Sequence, residues 1–256
     1  MNVIDAVALG VVEGLTEFLP ISSTAHLMVA ARFLGIGSSD VTKSFEIAIQ
    51  FGAILAVLAL YGRSLARNVD VVKKIAAAFV PTAAVGYLFY YIVKSYLLEH
   101  IGVSLAALFF GGIVFILFEI FNPRREAARE GLGEISFLRA IIIGCFQSLA
   151  MIPGVSRAGA TIIGGLLLGV ERKTIVEFSF LLAIPTMAAA AGFDLFKNAE
   201  TFSAKDFHLL ALGGIVSFLV ALAGIKFFLR FIQTRTFIPF GMYRIIIAII
   251  FWVVLF

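Results

Sequence analysis

Charge and cysteine are both scarce in this 256-residue sequence. Charged residues make up 14% of it, against about 25% in an ordinary soluble domain, and apolar side chains fill the gap at 61%. That balance excludes a soluble enzyme. A spanning helix needs about 20 mostly apolar residues, so the chain has room for six to eight such elements on short loops and none for a sizeable extramembrane domain. Cys145 is the single cysteine, which excludes an internal disulfide and a thiolate metal cage. The three histidines, His26, His100 and His208, are scattered without zinc spacing. No P-loop or dinucleotide fingerprint occurs. The net charge is +4, but no basic run is interleaved with aromatics, so no nucleic-acid partner is expected. No Lys or Arg precedes Arg32; without a basic n-region, the first residues are expected to belong to the mature fold.

Six apolar stretches are long enough to cross a bilayer: about 45–61, 75–93, 102–121, 175–193, 207–229 and 238–256. Two further regions, 3–35 and 137–169, are apolar at both ends but interrupted centrally. Pro20, Ser22, Ser23 and Thr24 break the first; Pro153, Gly154, Ser156 and Arg157 break the second. Non-helical backbone at membrane depth is tolerated only where protein or a wet cavity satisfies it, so each break predicts a polar cavity. If both regions are re-entrant, one face of the membrane receives Arg63, Arg67, Lys73, Lys74, Arg124, Arg125, Arg129, Arg139, Arg172, Lys173, Arg230 and Arg235. The other face receives Lys43, Lys94, Lys197 and Lys205. Cytoplasmic loops are enriched in Lys and Arg, so the first set is placed in the cytoplasm, with both termini and loop 194–206 outside.

An offset of 134 sets Gly10 on Gly144, Glu13 on Gln147, Leu15 on Leu149, Ser22 on Ser156 and Gly35 on Gly169. Each half then holds one broken hairpin and three spans. Three crossings is an odd number, so the second half starts on the opposite side and the repeats are inverted. The expected fold is an all-α integral membrane protein of two inverted-topology repeats, about 1–121 and 137–256, joined by a cytoplasmic linker at about 122–136. Such a plan brings helix N-termini from both halves to one internal site open to an anion.

The first break reads VEGLTEFLPISSTAH from Val12 to His26. Glu13 and Glu17, four apart, share a helical face. Two carboxylates in an apolar segment are expensive, and they are read as sharing a proton, pairing with a cation, or ligating Mg²⁺ or Ca²⁺. Ser22 or Ser23 is a natural N-cap. Ser23 and His26, three apart, can face one another as hydroxyl and base; on spacing alone, a capping serine and a histidine satisfied by backbone is the better reading. The second break reads PGVSRAGATI from Pro153 to Ile162. Its small residues let backbone approach an anion, and Arg157 can clamp phosphate oxygens, with an ion pair to Glu13 or Glu17 as the alternative. Ser156 and Thr161 either donate to that phosphate or bond their own helix. Glu46, Gln50, Arg32, Glu177 and Arg244 are assigned to supporting pairs.

These two motifs resemble those of the undecaprenyl pyrophosphate phosphatase family, the bacitracin-resistance proteins. The resemblance extends to KSFEIAIQFGAILAV from Lys43, GCFQSLAMIPG from Gly144, EFSFLLAIP from Glu177 and FIPFGMYRIIIA near the end. It implies hydrolysis of undecaprenyl diphosphate to the monophosphate and inorganic phosphate, recycling the carrier lipid of cell-wall synthesis and conferring bacitracin resistance. Carried over by position, the resemblance implies Glu13, Glu17, Ser23, His26 and Arg157 as catalytic, with Glu13 and Glu17 also holding a divalent cation. Phosphate binding falls to Ser22, Thr24, Gly154, Ser156, Arg157 and Thr161. Ala158 stands where the family usually has serine, and the expected effect is a weaker phosphate contact. The nucleophile stays open between Ser23, His26 and water. The expected setting is a bacterial inner membrane with the site opening outward, a polyprenyl diphosphate and membrane lipids as partners, and a homodimer allowed. The competing reading is a transporter or lipid flippase on inverted repeats.

Overall fold

The computed structural model describes the chain except residues 38, 98–99, 123–130 and 198–203. The linker arginines Arg124, Arg125 and Arg129, and much of loop 194–206, lie outside the described residues. Ten α-helices and no strand occur among those described: α1 Val3–Thr16, α2 Ser23–Phe33, α3 Asp40–Arg67, α4 Val69–Ile92, α5 Ile101–Phe121, α6 Phe137–Ser148, α7 Arg157–Leu167, α8 Arg172–Lys197, α9 Ala204–Thr234 and α10 Ile238–Leu255. Six of them, α3, α4, α5, α8, α9 and α10, are long and apolar enough to span a membrane. The other four form the two interrupted hairpins where the sequence places them.

Polar side chains start most of these helices. Asn2 and Asp5 form a reciprocal capping box on α1, and Ser39, Asn68, Ser136 and Ser156 accept from backbone N–H groups at the starts of α3, α4, α6 and α7. Both α2 and α7 close with a left-handed glycine. Gly35 (φ 70°) and Gly169 (φ 78°) are followed by Ile36 and Val170, whose N–H groups reach back to Ala31 and Gly165 carbonyls at 2.9 and 3.0 Å, which satisfies the last turn.

Within lipid, apolar burial does not drive helices together, so close backbone approach does much of the work. α1 lies along α9 and α6 along α4. At Gly10 and Gly14 a side chain would run into the backbone of Gly213 and Ser217, and at Gly144 into that of Ala78. α3 packs on α9 and α8, and α5 on α10. A phenylalanine-rich core fills the space between the hairpins: Phe18 meets Phe180 edge-on at 5.2 Å and Phe228 meets Phe240 at 5.3 Å. At one membrane face, Arg172 holds Glu119 through two bonds of 2.8 and 3.1 Å, and Lys74 donates to Gly133 at 2.6 Å. Lys43 is buried inside α3, because that helix begins at Asp40 and carries its first turn inward.

Candidate active site at the two helix breaks

The hairpins turn in the same unusual way. α1 stops at Thr16, and the chain runs through a turn to Ser22 at φ 69°; α6 stops at Ser148, passes one 3₁₀ turn at Leu149–Met151, and reaches Ser156 at φ 77°. These are the only non-glycine residues of positive φ among those described, and such backbone clusters at functional sites. Each serine immediately precedes a helix, so the N-termini of α2 and α7 border one cavity of about 480 Å³. Ser22, Ser23 and Thr24 line it from the first break and Pro153, Gly154, Ser156 and Arg157 from the second. Free N–H groups at two helix starts make such a cavity receptive to an anion.

Glu17 joins the breaks. The Ser23 hydroxyl donates to its Oε2, and Arg157 Nη2 donates to its Oε1 at 2.9 Å. Arg157 also donates through Nη1 to the Ser179 carbonyl at 2.7 Å and hydroxyl at 3.2 Å, and its guanidinium lies 5.6 Å from the Phe18 ring centre. Its Nε has no partner. The guanidinium therefore stands against the cavity, paired to a carboxylate that a phosphate can replace. Glu13, one turn earlier, is wholly buried with both carboxylate oxygens unbonded; Glu17, Arg157 and Glu46 are the charged groups around it. It does not line the cavity. An unpaired buried carboxylate is costly, and the free Glu13 oxygens are of the donor type that an oxygen-seeking cation takes, while both Glu17 oxygens are already bonded and no group of three or more metal-ligating side chains occurs among the described residues.

Several expected contacts are not made. His26 does not face Ser23. Its Nδ1 donates to the Ser22 carbonyl at 2.7 Å, which leaves Nε2 to accept from the Tyr243 hydroxyl at 2.9 Å, with the two rings stacked 5.7 Å apart. The α10 partner draws the imidazole behind α2, away from the cavity. Thr161 donates to the Arg157 carbonyl at 2.8 Å and is absent from the cavity wall. Ser156 accepts from Gly159 N–H at 3.1 Å; it caps α7 while bordering the cavity. Ala158 is buried in the core cluster and does not reach the cavity, so the missing family hydroxyl leaves no gap there.

The cavity wall also holds residues the motifs did not supply. Lys43, Glu46 and Gln50 project into it from α3; their spacing of three and four along an apolar helix was the available signal. Gln147, the residue matched to Glu13, donates to the hydroxyls of Thr82 and Thr186 at 2.9 and 3.0 Å. Beyond these polar groups the wall turns apolar between α4 and α8, where the small residues Ala83, Gly86, Ala189 and Ala190 stand among Phe79, Tyr87, Met187 and Phe193, and ends near Tyr90 and Asp194. There Tyr90 donates to Asp194 at 3.0 Å.

Comparison with known proteins identifies the family. Residues 6–250 match the family described as bacitracin resistance protein BacA. The protein of Wolinella succinogenes named undecaprenyl-diphosphatase is 49% identical over 98% of this chain and 97% of its own length. Proteins of the same name from Persephonella marina and Aquifex aeolicus are 48% and 47% identical, over 98% and 96% of both chains respectively.

Proposed function

Since the chain belongs to the bacitracin resistance protein BacA family, we propose that it hydrolyses undecaprenyl diphosphate to undecaprenyl phosphate and inorganic phosphate, the reaction by which cells resist bacitracin. The observation that carries this is Glu17 bound to both Ser23 and Arg157 between two helix N-termini. One end of the cavity suits a diphosphate; the small apolar residues between α4 and α8 suit the first isoprene units.

In this reading Ser23 attacks the terminal phosphorus and its proton passes to Glu17, towards which the hydroxyl already points. The oxygen–phosphorus bond to undecaprenyl phosphate breaks as the Ser23 bond forms, and water then cleaves the serine ester. Arg157 releases Glu17 and turns to the transferring phosphoryl oxygens, where its fork stabilises developing charge. Attack by water with Glu17 as base is the alternative, and His26 would first have to leave Tyr243. Glu13 and Glu17 are the residues to hold Mg²⁺ or Ca²⁺, which when bound supplies positive charge to the diphosphate.

The same proposal gives the chain two inverted repeats, about 1–121 and 137–256. Three features support it: the matched φ angles of Ser22 with Ser156 and of Gly35 with Gly169, the packing of α1 on α9 mirrored by α6 on α4, and the self-paired contacts of α3 with α8 and α5 with α10. Apart from Phe79, the α4 and α8 residues lining the cavity come from the halves of those helices remote from Lys74 and Arg172. With the basic face in the cytoplasm, the cavity opens to the outer side of a bacterial inner membrane.

The test is phosphate release from a polyprenyl diphosphate by purified protein in detergent, with and without EDTA, beside Glu17→Ala and Arg157→Ala. Release by the wild type, lost in both variants, supports the assignment. Folded wild-type protein that moves lipid without releasing phosphate would transfer the case to transport.

A further inference from the structure

Arg244 is wholly buried in α10, and its guanidinium meets carbonyl oxygens rather than a carboxylate. Nε donates to Leu108 at 3.2 Å. Nη1 donates to Pro20 at 3.1 Å and Val155 at 3.0 Å. Nη2 donates to Ala107 at 3.2 Å and Gly154 at 2.9 Å. A guanidinium has five N–H groups, and each has one acceptor here. The Phe115 ring lies 5.6 Å from its centre, and Gly111 leaves the space it occupies: a side chain on Gly111 would run into Arg244 itself.

The identity of the acceptors gives the cluster its meaning. Pro20 belongs to the first break, Gly154 and Val155 to the second, and all three carbonyls lie one or two residues before a positive-φ serine. Carbonyls released from a helix at membrane depth need another donor. One cation supplies it to both breaks, and it does so from behind, on the side of the turns away from the cavity. On the cavity side the breaks are joined by Glu17 and Arg157, a pair that a bound phosphate has to part.

We propose that Arg244 is the positioning residue of the diphosphatase reaction: by holding the carbonyls of both breaks it fixes Ser23 and Arg157 relative to one another while the Glu17–Arg157 pair opens around substrate. The inference rests on the reaction proposed above. Lysine offers three donors in place of five, so Arg244→Lys cannot satisfy all the carbonyls. Gly111→Ala keeps every charged group and displaces the guanidinium only.

The experiment combines kinetics with a distance measurement. Spin labels go on cysteines at Leu15 and Ile152, both partly exposed beside the two breaks, in a Cys145→Ala background. For Arg244→Lys and Gly111→Ala alike we expect kcat to fall by about 10²-fold, the scale of an ångström misplacement, with KM near the wild-type value and a broadened label-to-label distance. The double variant should be no slower than the worse single one, because both act through one cluster. If Arg244→Lys does not fold, Gly111→Ala is read alone. Unchanged kcat, an unchanged distance distribution, or additive losses would overturn the proposal. Wild-type protein that releases no phosphate would instead overturn the reaction reading.

Discussion

Ser23 and His26 share a helix, a polar neighbourhood and a spacing of three, yet only Ser23 faces the cavity. The difference lies in partners that spacing does not reveal. Glu17 draws the hydroxyl back across the break, and Tyr243, more than two hundred residues away in sequence, holds the imidazole. Ser23→Ala is accordingly expected to lower phosphate release at least about 10²-fold and by more than His26→Gln does, since it removes the proposed nucleophile and leaves its base Glu17 with nothing to activate. Arg157→Lys should lose most turnover with little change in stability, because a point charge cannot reproduce the bonds to Glu17 and Ser179 at once; kcat beside a thermal melt in detergent checks it. Ala158→Ser should leave KM unchanged, its side chain being in the core. Glu17 and Arg157 stand out in the sequence because ionisable groups inside apolar segments have few structural excuses; Ser23 stands out only through the resemblance, since its spacing alone fits a helix cap. Arg244 was visible for the same reason as Glu17 and Arg157, but nothing local indicated that its partners would be carbonyls from three other elements.

At the scale of elements, the two interruptions were plain from Pro20, Pro153 and Gly154, and the six spans from their apolar runs. The helix ends were less legible. α3 and α9 both overrun their apolar stretches, because N-capping and tertiary contacts carry a helix past the point where hydropathy fades, which is how Lys43 enters the cavity. Positive φ at two serines was not legible at all, since glycine is the usual occupant of that region. Gly154 is the usual case, with φ 96° and a Ser104 backbone oxygen where a Cβ would sit. Gly154→Ala is therefore expected to cost about 1–3 kcal/mol and to lower the melting temperature, with loss of phosphate release in proportion to the unfolded or displaced second break.

For the whole molecule, the arrangement across the membrane is testable with introduced cysteines once the single native thiol is replaced. Cys145 is exposed; in a Cys145→Ala background, a cysteine at Arg63 should react with an impermeant reagent only from the cytoplasmic side and one at Lys197 only from the outside. The opposite labelling would reverse the proposed orientation and send the cavity inward. Sequence charge supplies the proposed orientation of the spans, whereas the mutual approach of the hairpins depends on contacts between distant segments. One such contact has a bearing on how the protein is made. Glu17 emerges from the ribosome 140 residues before Arg157, and until the second hairpin inserts, its carboxylate sits in the first without the cation it needs, a state costing several kcal/mol. A chain whose second half is absent or wrongly inserted stays in that state. The bond between Glu17 and Arg157 therefore closes only once both hairpins are in place, which makes it a late event in assembly that waits on the second half of the chain.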